Sequence, residues 1–492
     1  MDKNTIIGFV LIAALLIGFS WYTQPSEEDI AKQRMQDSIT ALAKKKAEES
    51  RNAEAQASNQ NAQNNVNADT TAVFYKSLSG KAQNIILKNS KLELTLSTKG
   101  GTVEKAVIKD FKDNKGNKDL TLFDSKDQSL KFMLEGKETN IITSDLYFTP
   151  SNITDSTVTM TAVGSNGRSL VMNYKLGKNY LLHFSLKANG MSGLFSPNYN
   201  KLDIEWTDHC RQQEKGFTFE NRYASLTYHF TDGGTDYISE TSEKVDEKIE
   251  DAIDWVAFKN QFFSAVMIAK DDLGTNSLMT SIPQEKGSGY LKQYGAKVKT
   301  SFDPTGNNST ELEFYYGPND FRLLQKIEKE STFNKDLELH RLVYLGWPLF
   351  RIINRWFTLY VFDWLTGLNI NMGIVLILIT LLLKVITYPL VKKSYMSSAK
   401  MRVLKPKLEE ATKQYNKPED QMQKQQAMMA LYAKYGVSPL SGCLPMLIQM
   451  PIWIAMFNFV PNAIQLRGES FLWISDLSTY DPIIEWHNNI WL

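Results

Sequence analysis

The sequence predicts a multidomain membrane protein: a large all-β domain on the outer side, α-helical transmembrane segments, and a helical hairpin in the cytoplasm. Three observations carry that reading. Asn371–Val391 is an apolar run with one charge, Lys384, set inside it, and about 20 apolar residues in a helix cross a bilayer core. The stretch 73–335 holds no such run and instead alternates apolar and polar residues between turn signals. Lys392–Gly436 carries ten basic residues against four acidic ones, which by the positive-inside rule makes it cytoplasmic.

The totals agree with a mixed architecture. The chain has 492 residues and a mean hydropathy of −0.30, too polar for a protein made mostly of spanning helices. Its net charge of +1 gives no sign of nucleic-acid binding through bulk charge. Cys210 and Cys443 fall on opposite sides of the expected membrane, so a disulfide within the chain is not expected.

Residues 1–22 end in an apolar run, Thr5–Tyr22, that reads as a cleaved signal or an anchor. Its last residues, Ser20, Trp21 and Tyr22, make a poor cleavage site and a good interfacial end, which favours a retained anchor with its N-terminus inside. Residues 23–72 turn polar, with AKKKAEESR followed by AEAQASNQNAQNNVNADTT. Nothing there can offset the entropy of ordering, so the segment is a linker.

In the β domain, Lys91–Ser97 places Leu92, Leu94 and Leu96 on one face, and Ser156–Ala162, Ser169–Lys175 and Glu311–Tyr316 alternate in the same way. Gly100-Gly101, Asn114–Asn117 and Asp232-Gly233-Gly234 supply turns. The sum is an antiparallel β-sandwich. His183, His209, His229 and His340 show no HExxH spacing, and neither a GxSxG elbow nor a P-loop is present, so no catalytic residue, metal or cofactor is expected. His209-Cys210 lacks a second pair of metal ligands. Trp206 and Trp255 could stack on sugars, although core packing is the preferred use.

Past Gly346 the texture changes. Residues 346–367 hold a helix with Arg351, Asn354, Arg355 and Thr358 on one side and Leu349, Phe350, Ile353, Trp356, Phe357 and Tyr360 on the other. It should lie in the membrane surface, the alternative being a helix packed on the β domain. Eight of the ten tryptophans cluster in or beside the proposed membrane segments. Residues 371–391 are the charged transmembrane helix, and 392–436 a basic hairpin broken at Asn416-Lys417-Pro418, or else a solvated loop. Ser397-x-x-Lys400 resembles a penicillin-binding motif by chance, since its companions are missing. Residues 442–460 return outward as a second helix containing Pro445 and Pro451, and 461–492 follow outside.

Depth can be counted along these helices. Lys384 precedes Val391 by seven residues and Gln449 follows Gly442 by seven, so each lies roughly 10 Å into the membrane. Thr380 is one turn deeper than Lys384 on the same face. The three make a polar patch in the inner half of the bilayer, unless Lys384 simply snorkels to the headgroups.

This order of parts resembles the YidC family of membrane-protein insertases in its form with a large periplasmic domain. The most specific stretches are LLLKVITYPLVKKSYMSSAKMRVLKPKLEE, KYGVSPLSGCLPMLIQMPIWIAMF and LRGESFLWISDLSTYDP. STKGGTVEKAVIKDF, DWVAFKNQFFSAVMI and FYYGPND resemble the family's β supersandwich. The resemblance implies a multi-pass protein of the bacterial inner membrane. Its partners would be nascent membrane proteins, the ribosome, the Sec translocon and the bilayer. It also implies a hydrophilic groove with a positive residue at Lys384 and a threonine at Thr380, to which the depth count adds Gln449. The family usually has arginine where Lys384 stands, and lysine keeps the charge without the planar fork. Family members have a five-helix core, so a chain ending at Leu492 is read as truncated, with three more spanning segments expected beyond it. Two rival readings are a membrane-anchored periplasmic carbohydrate-binding or carbohydrate-modifying protein, and a transport or channel subunit.

Overall fold

The computed structural model describes residues 73–114, 116, 118–238, 244–413, 415, 420–436 and 444–480. The anchor, the linker, the hairpin break at Asn416-Lys417-Pro418, Cys443 and residues 481–492 lie outside these residues.

The strands come in chain order. The first ten are β1 (Asn84–Lys88), β2 (Leu92–Ser97), β3 (Val103–Lys112), β4 (Asp119–Phe123), β5 (Gln128–Leu134), β6 (Ile141–Ile142), β7 (Thr149–Ser151), β8 (Thr157–Val163), β9 (Ser169–Leu176) and β10 (Leu181–Asn189). Then follow β11 (Lys201–Arg211), β12 (Ser225–Phe230), β13 (Thr235–Tyr237), β14 (Val245–Ile249) and β15 (Ile253–Lys259). The last are β16 (Phe263–Ala269), β17 (Ser277–Pro283), β18 (Tyr290–Ser301) and β19 (Thr310–Pro318). They form an antiparallel four-stranded sheet, β1-β2-β3-β4, a nine-stranded sheet, β13-β12-β15-β16-β19-β10-β9-β8-β7, and a six-stranded sheet, β14-β17-β18-β11-β5-β6.

Alternation in the sequence becomes alternation of burial. Along β11 every second side chain from Leu202 to Cys210 faces the core, because successive Cβ atoms point to opposite faces of a strand. The same alternation separates His209 from Cys210: the thiol is buried and the imidazole lies beside Tyr290. The two larger sheets meet through stacked rings, Trp206 on Phe258 at 4.0 Å and Phe132 on Phe184 at 5.2 Å. Strands β15 and β16 are buried on both faces. The segment that follows the domain supplies part of that cover, since Trp255 Nε1 donates to Leu337 O at 2.7 Å. Both tryptophans of the domain are therefore core residues.

Two helices belong to this body, α1 (Phe217–Tyr223) and α2 (Phe321–Glu330). Asp320 caps α2 by accepting the Leu323 N–H at 2.6 Å. Beyond come α3 (Pro348–Ile353), a π turn (Asn354–Thr358) and α4 (Leu359–Thr366), which run on without a break. Then follow α5 (Met372–Thr412), α6 (Gln421–Lys434) and α7 (Leu444–Phe459).

Helix α5 is one helix of 41 residues. The apolar run was expected to close at Val391, yet nothing in KKSYMSSAKM stops a helix. The hydropathy edge marks where a membrane would end, and the backbone runs on. Among the described residues α5 is the one helix long and apolar enough to cross a membrane; α7 has 16 residues.

Candidate functional site

The candidate site is built on α5. Asn371 caps it, accepting the Gly373 N–H at 2.8 Å while its amide donates to Ser470 O at 2.8 Å. Gly373 is required there, because a Cβ would lie 2.1 Å from the Phe471 ring. Val375 and Ile379, one turn apart, are buried. Beyond Ile379 the cover thins: Thr387 and Ser394 stay buried, while Val385, Ile386, Tyr388 and Leu390 are exposed.

Lys384 lies in that thinly covered stretch and is itself exposed. Thr380 is exposed too, its hydroxyl donating to Leu376 O at 2.8 Å, and the two side chains lie one turn apart on one face. Gln449 is half-buried on α7, which packs against α5. The structure thus groups Thr380 with Lys384 and puts Gln449 on the neighbouring helix. Among the described residues no hydrogen bond or ion pair joins the three.

The continuous helix 348–366 presents Leu349, Ile352, Trp356, Tyr360 and Trp364 outward. Asn354 and Thr358, expected on a water-facing side, are instead buried. Asn354 Nδ2 donates to Leu345 O at 3.0 Å and to Ala455 O of α7 at 2.8 Å. Asn354 thus holds two carbonyls in a packed interface in place of facing solvent. Arg351 and Arg355 line a cavity with His340, Arg341 and Tyr344.

The segment after α7 ties these helices to the β domain, through residues that sequence reasoning did not single out. Arg467 donates to Glu214 at 2.6 Å and to Lys112 O at 2.9 Å, with its guanidinium 5.2 Å from the centre of the Phe263 ring. Both partners are buried, at 7% and 8% side-chain exposure. Gln465 donates to Asp320, and Gln261 of the β domain donates to Pro461 O at 2.6 Å. Arg322 of α2 pairs with Asp363 of α4 at 2.7 Å and lies over Tyr360. The available signal was a lone arginine in LRGES between apolar stretches. Nearby, burial pushes the Glu220 carboxyl up to about 8 against the opposing effect of the Glu214 and Gln213 N–H groups.

Comparison with known proteins places these parts. The family described as YidC periplasmic domain matches residues 84–360, and the one described as 60Kd inner membrane protein matches 364–492. A membrane protein insertase YidC from Phocaeicola vulgatus is 52% identical over 100% of this chain and 78% of its own length. One from Parabacteroides distasonis is 39% identical over 100% of this chain and 79% of its own length. Among solved structures, a putative aldose 1-epimerase from Escherichia coli K12 is 8% identical at a TM-score of 0.30, over 48% of this chain and 100% of that one; a likeness of that size carries no argument. The β domain, the helices and the sequence identity over the whole chain make it a member of the YidC family of membrane protein insertases.

Proposed function

We propose that this insertase lowers the barrier to moving a polar loop across the bilayer by offering it a hydrated, positive recess at Lys384. The observation that carries the reading is the Lys384 side chain itself. It is exposed on the spanning helix, and among the described residues no carboxylate pairs with it. Lysine within a spanning helix costs roughly 2.5–3.5 kcal/mol on insertion scales. An unpaired amine is tolerable there when water reaches it, and a substrate carboxylate can then meet it. A recess about 10 Å deep leaves about 20 Å of a 30 Å hydrocarbon core to cross. Thr380 and Gln449 extend the polar surface, and the apolar part of the substrate slides along Val385, Ile386 and Tyr388 into lipid.

The same proposal gives the protein several spans, with 1–22 and 442–460 crossing beside 371–391, and sets the β domain in the periplasm. Helix 348–366 rests its Trp356, Tyr360 and Trp364 row in the outer interface. The basic arm after Val391 has Lys392, Lys393, Lys400, Arg402, Lys405 and Lys407 exposed, which suits the anionic surface of a ribosome, and cooperation with the Sec translocon belongs to this reading as well.

Insertion of a single-span substrate, followed by protease accessibility in membranes, tests it. Lys384→Arg should insert as well as the parent and Lys384→Ala should fail. Equal insertion by all three removes the charge from the mechanism.

A further inference from the structure

A second place in the molecule has the makings of a binding site, independent of the groove. A cavity of about 460 Å³ opens between the β12–β13 hairpin, the turn after β16 and the strap that follows α2. Six carboxylates line it: Asp232, Asp254, Asp271, Asp272, Asp336 and Glu338. Lys335 Nζ lies 2.6 Å from Asp254 and also binds Asp271 O, and Arg341 is 2.7 Å from Glu338. Asp232, Asp271, Asp272 and Asp336 have no cationic partner among the described residues.

His229 also lines the cavity, and its side chain is 1% exposed, with the ring stacked on Trp255. Neither ring nitrogen has a hydrogen-bond partner among the described residues. Nδ1 is 3.5 Å from Asp254 Oδ2 and Nε2 is 3.6 Å from Glu338 Oε2, both longer than an ordinary hydrogen bond. Even with Lys335 and Arg341 counted, the six carboxylates leave an excess of negative charge around the cavity, which added positive charge offsets. Glu338 lies in the left-handed region, at φ 45°, between the buried Leu337 and Leu339, which a side chain of that size adopts at a cost.

The size and spread of the carboxylates decide what kind of cation fits. Among the described residues no three His, Cys, Asp or Glu side chains gather closely enough to hold a metal ion. The volume falls instead in the range of about 300–1,000 Å³ typical of organic ligands. We propose that this cavity binds an extended organic polycation, with Asp232, Asp271, Asp272 and Asp336 taking its ammonium or guanidinium groups and His229, Asp254 and Glu338 closing the inner end. The cation is either a free polyamine or the basic side chains of a polypeptide passing over this face of the domain.

The test is calorimetric titration of the full chain in nanodiscs of zwitterionic lipid, with spermidine and with an amidated Gly-Lys-Gly-Lys-Gly peptide. A Gly-Gln-Gly-Gln-Gly peptide serves as the uncharged control. One saturable site is expected for at least one cation and none for the control. The triple variant Asp232→Asn/Asp271→Asn/Asp336→Asn changes exposed side chains, so its fold, checked by an unaltered melting curve, should persist while affinity falls at least tenfold. His229→Gln should weaken binding as well, which diffuse surface attraction would not show. Tighter binding of the peptide assigns the site to polypeptide side chains, and tighter binding of spermidine assigns it to polyamines. Failure of both cations to saturate, or undiminished binding by the triple variant, overturns the proposal.

Discussion

Replacing Arg467 with methionine should loosen the attachment of the β domain to the helices. Both members of the Arg467–Glu214 pair are buried, so the loss leaves a carboxylate that burial already pushes above its ordinary range. Breaking such a pair from one side costs about 3–5 kcal/mol. The hydrogen bond to Lys112 O and the contact with the Phe263 ring vanish too. If the cost falls on local opening, hydrogen exchange should accelerate about 10²- to 10³-fold or more in peptides covering 213–220 and 461–469. Neutralising the stranded partner in Arg467→Met/Glu214→Gln should recover a large part of that, since a buried amide is cheaper than an unpaired carboxylate. Exchange in Arg467→Met within threefold of the parent, or a double variant worse than the single one, would refute the reasoning.

Other expectations follow from the same contacts. Gly373→Ala should destabilise the N-terminal end of α5 by about 1–3 kcal/mol through overpacking on Phe471, and Phe471→Ala in the same chain should relieve it, read as paired melting temperatures. Asn354→Leu should cost about 1–3 kcal/mol by leaving the Leu345 and Ala455 carbonyls short of a donor, again by thermal melting. For pH, Glu220 has a folded-state pKa near 8 against an ordinary 4.5. The folded form therefore keeps a proton that the unfolded chain loses above 4.5. Stability should fall as pH rises from about 5 to 8, and Glu220→Gln should flatten that slope in denaturant titrations.

The parts of this protein most legible in the sequence are those governed by one period. Leu92, Leu94 and Leu96 announced β2, and all three are fully buried. Gly100 and Gly101 announced the turn that follows, and both adopt positive φ. The length of α5 was hidden because hydropathy reports the surroundings of a helix and not its hydrogen bonds. Asn354 is hard to place from sequence for a related reason: an amide looks alike on a wet face and in a packed interface until its carbonyl partners, one of them on α7, are known. Arg467 and Glu214 were invisible because they are 253 residues apart and no local pattern links them. Of the candidate groove, the shared face of Thr380 and Lys384 could be read from helical spacing alone, and the adjacency of α5 and α7 needed the fold.

The continuity of α5 makes it a mast. With 41 residues it extends about 60 Å, some 30 Å more than a hydrocarbon core needs. Tilting a shaft by ten degrees swings a point 30 Å away by about 5 Å, a full helical turn's worth of displacement. A displacement of the basic arm therefore reaches Lys384 only as far as the shaft stays straight, and Pro389 and Pro406, both between Lys384 and the end of the arm, are the two places where it can bend.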